Sequence, residues 1–378
     1  MVRHRLRSIE LFPLRTDLAT PRGPSIHTYH SRETLFIKVT TDAGLIGWGE
    51  TYRMAGVESA IRDVLAPLII GHEAVASRHL HEQMLAATFG NGFAVGGVDL
   101  ALHDLWGKAL GVPVHALYGG ARRSRVEAYA SLPGYYVDRG PEDHWTNEIV
   151  DLAEQGFHAM KLRIGRYPPE RELPLLGDVR QAVGSSVGLM ADANAAYSPA
   201  LALHVGRALK DFDFAWLEEP LPQTGYHGYP ELRAKLGIPL AGGEALGTRW
   251  AAAQALQQSC FDVVQPDVSI CGGIAEGLFI GELAQLSAVR CIPHCWAGAV
   301  TLAATLHLAA LLPEPSRMPG VDAPLVEVDV TENPFRDEVV VGTPFKLTDG
   351  YLEVPSGPGL GVEIDETALR RYSAAHRG

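Results

Sequence analysis

The chain has 378 residues, 47% of them hydrophobic, and carries 32 Lys and Arg against 44 Asp and Glu for a net charge of −12. That length exceeds one ordinary compact domain and fits a large barrel with an accessory domain. The acidic balance argues against a nucleic-acid surface, which needs clustered basic residues, and no apolar run of about 18 residues marks a membrane span. The opening MVRHRLRSIELFPLR lacks the apolar stretch and small-residue cleavage site of a secretion signal, so a cytoplasmic protein is expected. Cys260, Cys271, Cys291 and Cys295 form no CxxC pair and read as small core residues.

Residues 1–60 alternate in the manner of strands. LFIKVTT at 35–41 and LIGWGE at 45–50 flank the turn formers Asp42-Ala43-Gly44, which predicts an antiparallel hairpin. After Ile61 the period becomes helical, through AIRDVLAPLII and then VDLALHDLWGKAL, so residues 1–122 read as an α+β domain. From Val126 short apolar strands alternate with amphipathic stretches such as PALALHVGRALKDF. The expected strands are Val126–Ser131, Ala159–Ile164, Gly188–Ala191, Ala215–Glu218, Ile238–Gly242, Asp262–Gln265 and Arg290–His294. A strand about every 25 residues with a helix between is the repeat of a parallel sheet, closing most economically as a barrel over residues 123–330. Residues 331–378, rich in Pro, Gly and strand formers, lack that rhythm and are expected to return to the N-terminal domain.

A charged residue recurs at the carboxyl end of these strands: Lys161 and Arg163, Asp192 in ADAN, Glu218 in WLEEP, Glu244 in AGGE, Asp267 in QPD and His294 in IPHCW. From Asp192 onward the intervals are 26, 26, 23 and 27 residues, which puts all of them on one rim, where barrel enzymes hold their active sites. A lone DAN or EEP is ordinarily a helix cap or a solvated charge. Asp192, Glu218 and Glu244 in register are instead expected to converge, and three buried carboxylates need a cation. Hard oxygen donors favour Mg²⁺. Lys161 and Arg163, two apart on a strand, share the interior face, while Leu162 and Ile164 face outward. Asp267 and His294, on neighbouring strands, form a carboxylate–imidazole pair suited to general-base chemistry.

The GWGE hairpin end, VDLALHDLWGKALGVPVHALYGG, KLR, ADAN, WLEEP, AGGE, QPD, PHCW and PSGPGLGVEI, in that order, resemble the mandelate racemase subgroup of the enolase superfamily over nearly the whole chain. The resemblance implies a (β/α)₇β barrel under an N-terminal α+β capping domain, with Asp192, Glu218 and Glu244 as Mg²⁺ ligands and Asp267 with His294 as the base. It implies that Glu327, in LVEVDV, hydrogen-bonds the enolate. It also implies two substrate-selecting loops, about Thr20–His30 and Tyr52–Val57, where His27, Tyr29, Tyr52 and Arg53 are the polar candidates. Asn194, beside Asp192, joins them as a substrate contact. A small carboxylate substrate and a symmetric homo-oligomer are further implications.

Family members abstract the weakly acidic proton alpha to a carboxylate, with metal and nearby cations absorbing the charge that develops. The subgroup's usual KxK pair is KxR here, with Arg163 in place of the second base. A guanidinium stays protonated near neutral pH. Racemisation, which needs bases on both faces, is therefore the lesser expectation. One-base dehydration of an acid sugar comes first, followed by opening of a sugar lactone, since QPD through VEVDVTENPF is also similar to galactarolactone cycloisomerases. A chain that only binds a carboxylate ligand is the remaining alternative, and the intact triad and dyad argue against it.

Overall fold

The structure is a computed structural model that describes residues 4–132, 134–224, 226–318 and 320–373. Its N-terminal part is an antiparallel sheet of β1 (Leu6–Gly23), β2 (Tyr29–Thr41) and β3 (Ile46–Thr51), with the predicted turn closing β2 onto β3. The helix Gly92–Leu110 lies flat against β3, and the GWG sequence explains how. A Cβ on Gly47 or Gly49 would collide with the backbone carbonyls of Ala101 or Gly97, so bare backbone permits the contact.

The helical segments differ from expectation at their edges. The run after Ile61 is broken into a π-helical turn, Ala60–Leu65, and a short α-helix, Ala66–Ile69. The helix expected from Val98 begins six residues earlier, because the Asn91 side chain accepts from the Ala94 N–H at 3.1 Å and caps a glycine-rich first turn.

The barrel strands are β4 (Arg125–Ser131), β6 (Ala159–Arg163), β7 (Gly188–Asp192), β8 (Phe214–Glu218), β9 (Leu240–Gly242), β10 (Val263–Val264), β11 (Arg290–Cys291) and β12 (Leu325–Asp329). Their order is β11-β10-β9-β8-β7-β6-β4-β12, all parallel, while the two-residue β5 (Tyr135–Tyr136) pairs back with β1. Strands β10 and β11 are shorter than the sequence suggested. Pro266 and Pro293 have no N–H to give the ladder, so regular pairing stops before them.

Period-two alternation then builds the barrel. Leu162, Leu189, Leu217, Leu240, Val264 and Val326 face the helices, while Tyr129, Ala159, Met190, Trp216, Ala241, Val263, Ile292 and Leu325 pack together as an apolar plug inside. Two residues beyond Ala159, Met190, Trp216, Ile292 and Leu325 come Lys161, Asp192, Glu218, His294 and Glu327. The polar site thus rests directly on a dry floor. No ladder joins β11 to β12 among the described residues. The Cys295 N–H donating to Glu327 Oε2 at 3.1 Å spans that seam.

After β12 the chain returns toward its start. β13 (Tyr351–Glu353) pairs antiparallel with β4, the Leu360 N–H donates to Asp104 at 2.9 Å, and Glu366 pairs with Lys38 on β2 at 2.5 Å. All four cysteines are buried and free.

Candidate active site

Lateral register brings the first charged groups together. Arg163 is opposite Asp192, and Asp192 opposite Glu218, across β6, β7 and β8. The Lys161 ammonium lies 2.5 Å from Glu218 Oε1, 2.9 Å from Glu327 Oε1 and 3.8 Å from Asp192 Oδ2. Arg163 Nη1 donates to Asp192 Oδ2 at 3.2 Å and to Asn194 Oδ1 at 2.9 Å, and the guanidinium stacks 4.5 Å from the Trp296 ring. Both cations therefore face inward, as their spacing predicted.

Glu244 behaves differently from the expected triad. It comes from the turn after β9, and its Oε2 lies 3.4 Å from His294 Nε2. Among the described residues no three His, Cys, Asp or Glu side chains stand close enough to grip an ion. Gly243 occupies the interior position two beyond Ala241, and Glu244 is one residue further along.

The charge balance nevertheless fits a cation. Asp192, Glu218, Glu219, Glu244, Asp267 and Glu327 crowd one rim, while the only permanent cations among the described residues in contact with them are Lys161 and Arg163. Burial pushes Asp192 and Glu218 above the usual carboxylate range despite Lys161, and neighbouring carboxylates add to the shift. Burial also drives Glu219 well up, reinforced by Glu244. A set of hard oxygen donors with unbalanced negative charge suits Mg²⁺.

On the other side, His294 Nδ1 is 2.8 Å from Asp267 Oδ2, and Asp267 is wholly buried. Burial opposes charge on His294, but Glu244, Glu327 and Asp267 outweigh it and raise its pKa from 6.5 to about 10. Against its own burial, Glu327 is held below the ordinary range by Lys161 and His294.

A cavity of about 240 Å³ opens above these groups, sized for a small molecule, and its wall includes Arg163, Asn194, Glu244 and His294 from the barrel with Tyr29 and Tyr52 from the capping sheet. His27 is exposed and absent from that wall; its ring packs edge-on against Tyr29. Arg53 also stands outside it, paired with Glu33 and Glu58 at 3.3 and 3.1 Å. Trp216 and Gln265, which donate to Glu218 Oε2 at 3.0 and 2.8 Å, were overlooked in the sequence although Trp216 sits two residues before Glu218 on the same face. Glu219 was also overlooked. Its φ of 37° turns it out of strand alternation, and it accepts from the Gly243 N–H at 3.1 Å.

Comparison with known proteins settles the family. Residues 7–119 match the mandelate racemase / muconate lactonizing enzyme N-terminal domain, and residues 145–368 match the enolase C-terminal domain-like family. The chain belongs to the mandelate racemase and muconate lactonizing enzyme family of the enolase superfamily. Among its relatives is the D-galactarolactone cycloisomerase of Agrobacterium fabrum, 33% identical and covering 97% of this chain and 98% of that one. The arabinonate dehydratase of Saccharolobus solfataricus is 32% identical over 91% of each. The crystal structure of the 3,6-anhydro-D-galactonate cycloisomerase from Zobellia galactanivorans superposes with a TM-score of 0.87 at 33% identity, covering 97% of this chain and 99% of that one. Enolase-superfamily members generally bind Mg²⁺. No described helix is long and apolar enough to cross a membrane.

Proposed function

We propose that this enzyme removes the proton alpha to the carboxylate of an acid sugar and then eliminates the β-hydroxyl as water. The observation that carries this reading is the asymmetry of the bases. His294, backed by Asp267, stands on one side and is an imidazole that a cation beside Glu244 would free of its proton, while opposite it Arg163 is a guanidinium that keeps its proton near neutral pH and Lys161 is clamped between Glu218 and Glu327. A site with one competent base suits elimination better than racemisation.

In this reading Asp192, Glu218 and Glu244 would hold Mg²⁺, whose contribution is positive charge for the substrate carboxylate. His294 Nε2 takes the alpha proton, and the electron pair of the broken C–H bond moves into the carboxylate. Lys161 and Arg163 offset the charge that appears there. The pair then returns to form the C=C bond, the β C–O bond breaks, and the His294 imidazolium protonates the departing hydroxyl. The resulting enol ketonises to a 2-keto-3-deoxy acid. Asn194 and Tyr29, on the cavity wall, are the proposed substrate contacts, with Tyr52 beside them and His27 and Arg53 in an outer role.

A second reading, ring opening of a sugar lactone by the same elimination with the ring oxygen as leaving group, is favoured by the 33% identity to D-galactarolactone cycloisomerase. A panel of aldonates, aldarates and their lactones in D₂O, with Mg²⁺-loaded enzyme and NMR detection, separates the two. Dehydration yields keto-deoxy acids from open-chain substrates, and cycloisomerisation consumes lactones alone. A panel left unchanged, with no deuterium at the alpha carbon, would overturn both. We take the protein to act in the cytoplasm as a homo-oligomer, which its mass in solution would test.

A further inference from the structure

Three consecutive capping-domain residues reach the back of the proposed base. Glu50, fully buried, accepts from the Gly298 N–H at 2.7 Å and the Thr301 N–H at 3.0 Å, which seats its carboxylate on the first turn of the helix Ala299–Leu311, just after His294. Thr51 Oγ1 faces the carbonyls of Phe93 at 2.9 Å and Ser269 at 3.1 Å. The Ser269 N–H in turn donates to Asp267 Oδ1 at 2.7 Å. Tyr52 completes the set, its hydroxyl donating to Asp267 Oδ2 at 3.0 Å.

That last oxygen is the one that faces His294 Nδ1 at 2.8 Å. Asp267 is therefore pinned on both oxygens, by the Ser269 amide on one and by Tyr52 and His294 on the other. Burial holds the Tyr52 phenol protonated, so it serves as a donor, and its ring is steadied edge-on by Phe93 at 6.2 Å. With the hydroxyl spent on Asp267, Tyr52 has little left to offer a substrate.

We infer that Tyr52 is a positioning residue: it fixes the Asp267 carboxylate and, through it, the orientation of the His294 ring, while Glu50 anchors the helix that follows His294. The capping domain is then part of what builds the base as well as what covers it. This rests on the reading of His294 as the base, but the contact itself can be tested apart from turnover.

The experiment compares full-length wild type with Tyr52→Phe, which removes the hydroxyl and keeps the ring. Two readouts are taken: kcat and KM for the alpha-proton reaction, and the low-field proton resonance of the His294 Nδ1–H in ligand-free protein, assigned by its absence in His294→Ala. Loss of such a supporting partner is expected to lower kcat about 10–100-fold with KM nearly unchanged. The resonance is expected to shift or broaden. An unchanged resonance overturns the inference, as does a raised KM at constant kcat, which would make Tyr52 a substrate contact. Melting curves of both proteins separate a loss of fold, and a Glu50→Gln variant with kcat equal to wild type would remove the second arm of the inference. If wild type processes no acid sugar yet the resonance moves in Tyr52→Phe, the positioning role stands and the proposed reaction falls.

Discussion

Lys161 and Glu327 face each other inside the barrel, ammonium to carboxylate at 2.9 Å, and neither is exposed to solvent. Each holds the other in its charged form: burial works against both charges, yet Lys161 is raised with the help of Glu327, and Glu327 is lowered chiefly by Lys161. A lysine so clamped keeps its proton, in keeping with the base role proposed for His294. His294→Ala should therefore lower alpha-proton exchange by about 10²–10⁴-fold, the usual worth of a general base, with Mg²⁺ affinity retained. Exchange measured in D₂O by NMR checks it, and exchange that survives the substitution would point back to Lys161.

Arg163 should matter for charge and not for proton removal. Arg163→Met deletes a fixed cation beside Asp192 and Asn194 and is expected to cost about 10²–10³ in kcat, comparable to losing an oxyanion donor. Arg163→Lys, which keeps the charge but loses the planar stack on Trp296, should cost less. Steady-state kinetics of the two variants give the order directly.

Metal binding should release protons. Asp192 and Glu218 have raised pKa values, chiefly from burial, and His294 is raised to about 10 against its burial, with Glu244 the foremost attraction. Each holds protons more tightly in the folded protein, and a cation among the carboxylates favours their loss. Mg²⁺ affinity should therefore rise with pH. Calorimetric titration in two buffers of different ionisation enthalpy should give different apparent heats; equal heats would contradict the expected linkage. Asp192→Asn and Glu218→Gln should each weaken binding.

His307 should make the fold acid-sensitive. Burial, helped by His115, lowers its pKa from 6.5 to about 3 against its bond to the Leu360 carbonyl. The unfolded chain takes up this proton below about pH 6.5, and the folded chain does so only near pH 3. Stability from this group is thus complete above pH 6.5 and declines as pH falls toward 3, by up to about 1.4 kcal/mol per unit. His307→Gln should flatten the dependence of the unfolding midpoint between pH 7 and pH 5.

Much of the barrel was legible because one rule, period-two alternation, generates it. An apolar interior residue followed two positions later by a charge marks β6, β7, β8 and β12 alike. The rule failed where the backbone leaves strand geometry: Glu244 follows Gly243, with φ of 105°, and Glu219 has φ of 37°, so neither can be aimed from spacing. Gln265, by contrast, lies two residues beyond Val263 of the plug, and alternation alone would have pointed it at Glu218. The contact between Tyr52 and Asp267 joins residues 215 positions apart, and only the docking of one domain on the other creates it.

That docking has two unlike edges. The β1–β2 turn is tied down by Ser25 to the Ala193 carbonyl at 2.7 Å and by Arg166 to the carbonyls of Pro24 and His27 at 2.5 and 2.6 Å, partly at the surface, whereas Glu50 is sealed in the interior with every oxygen bonded. Substitutions at the first edge would reshape the cavity mouth without touching the contacts of Asp267 and His294. The second cannot change so freely, because its side chains contact Asp267 and the helix that follows His294, the pair proposed to move the proton. A lineage built on this scaffold can therefore diversify its diet while inheriting its chemistry intact.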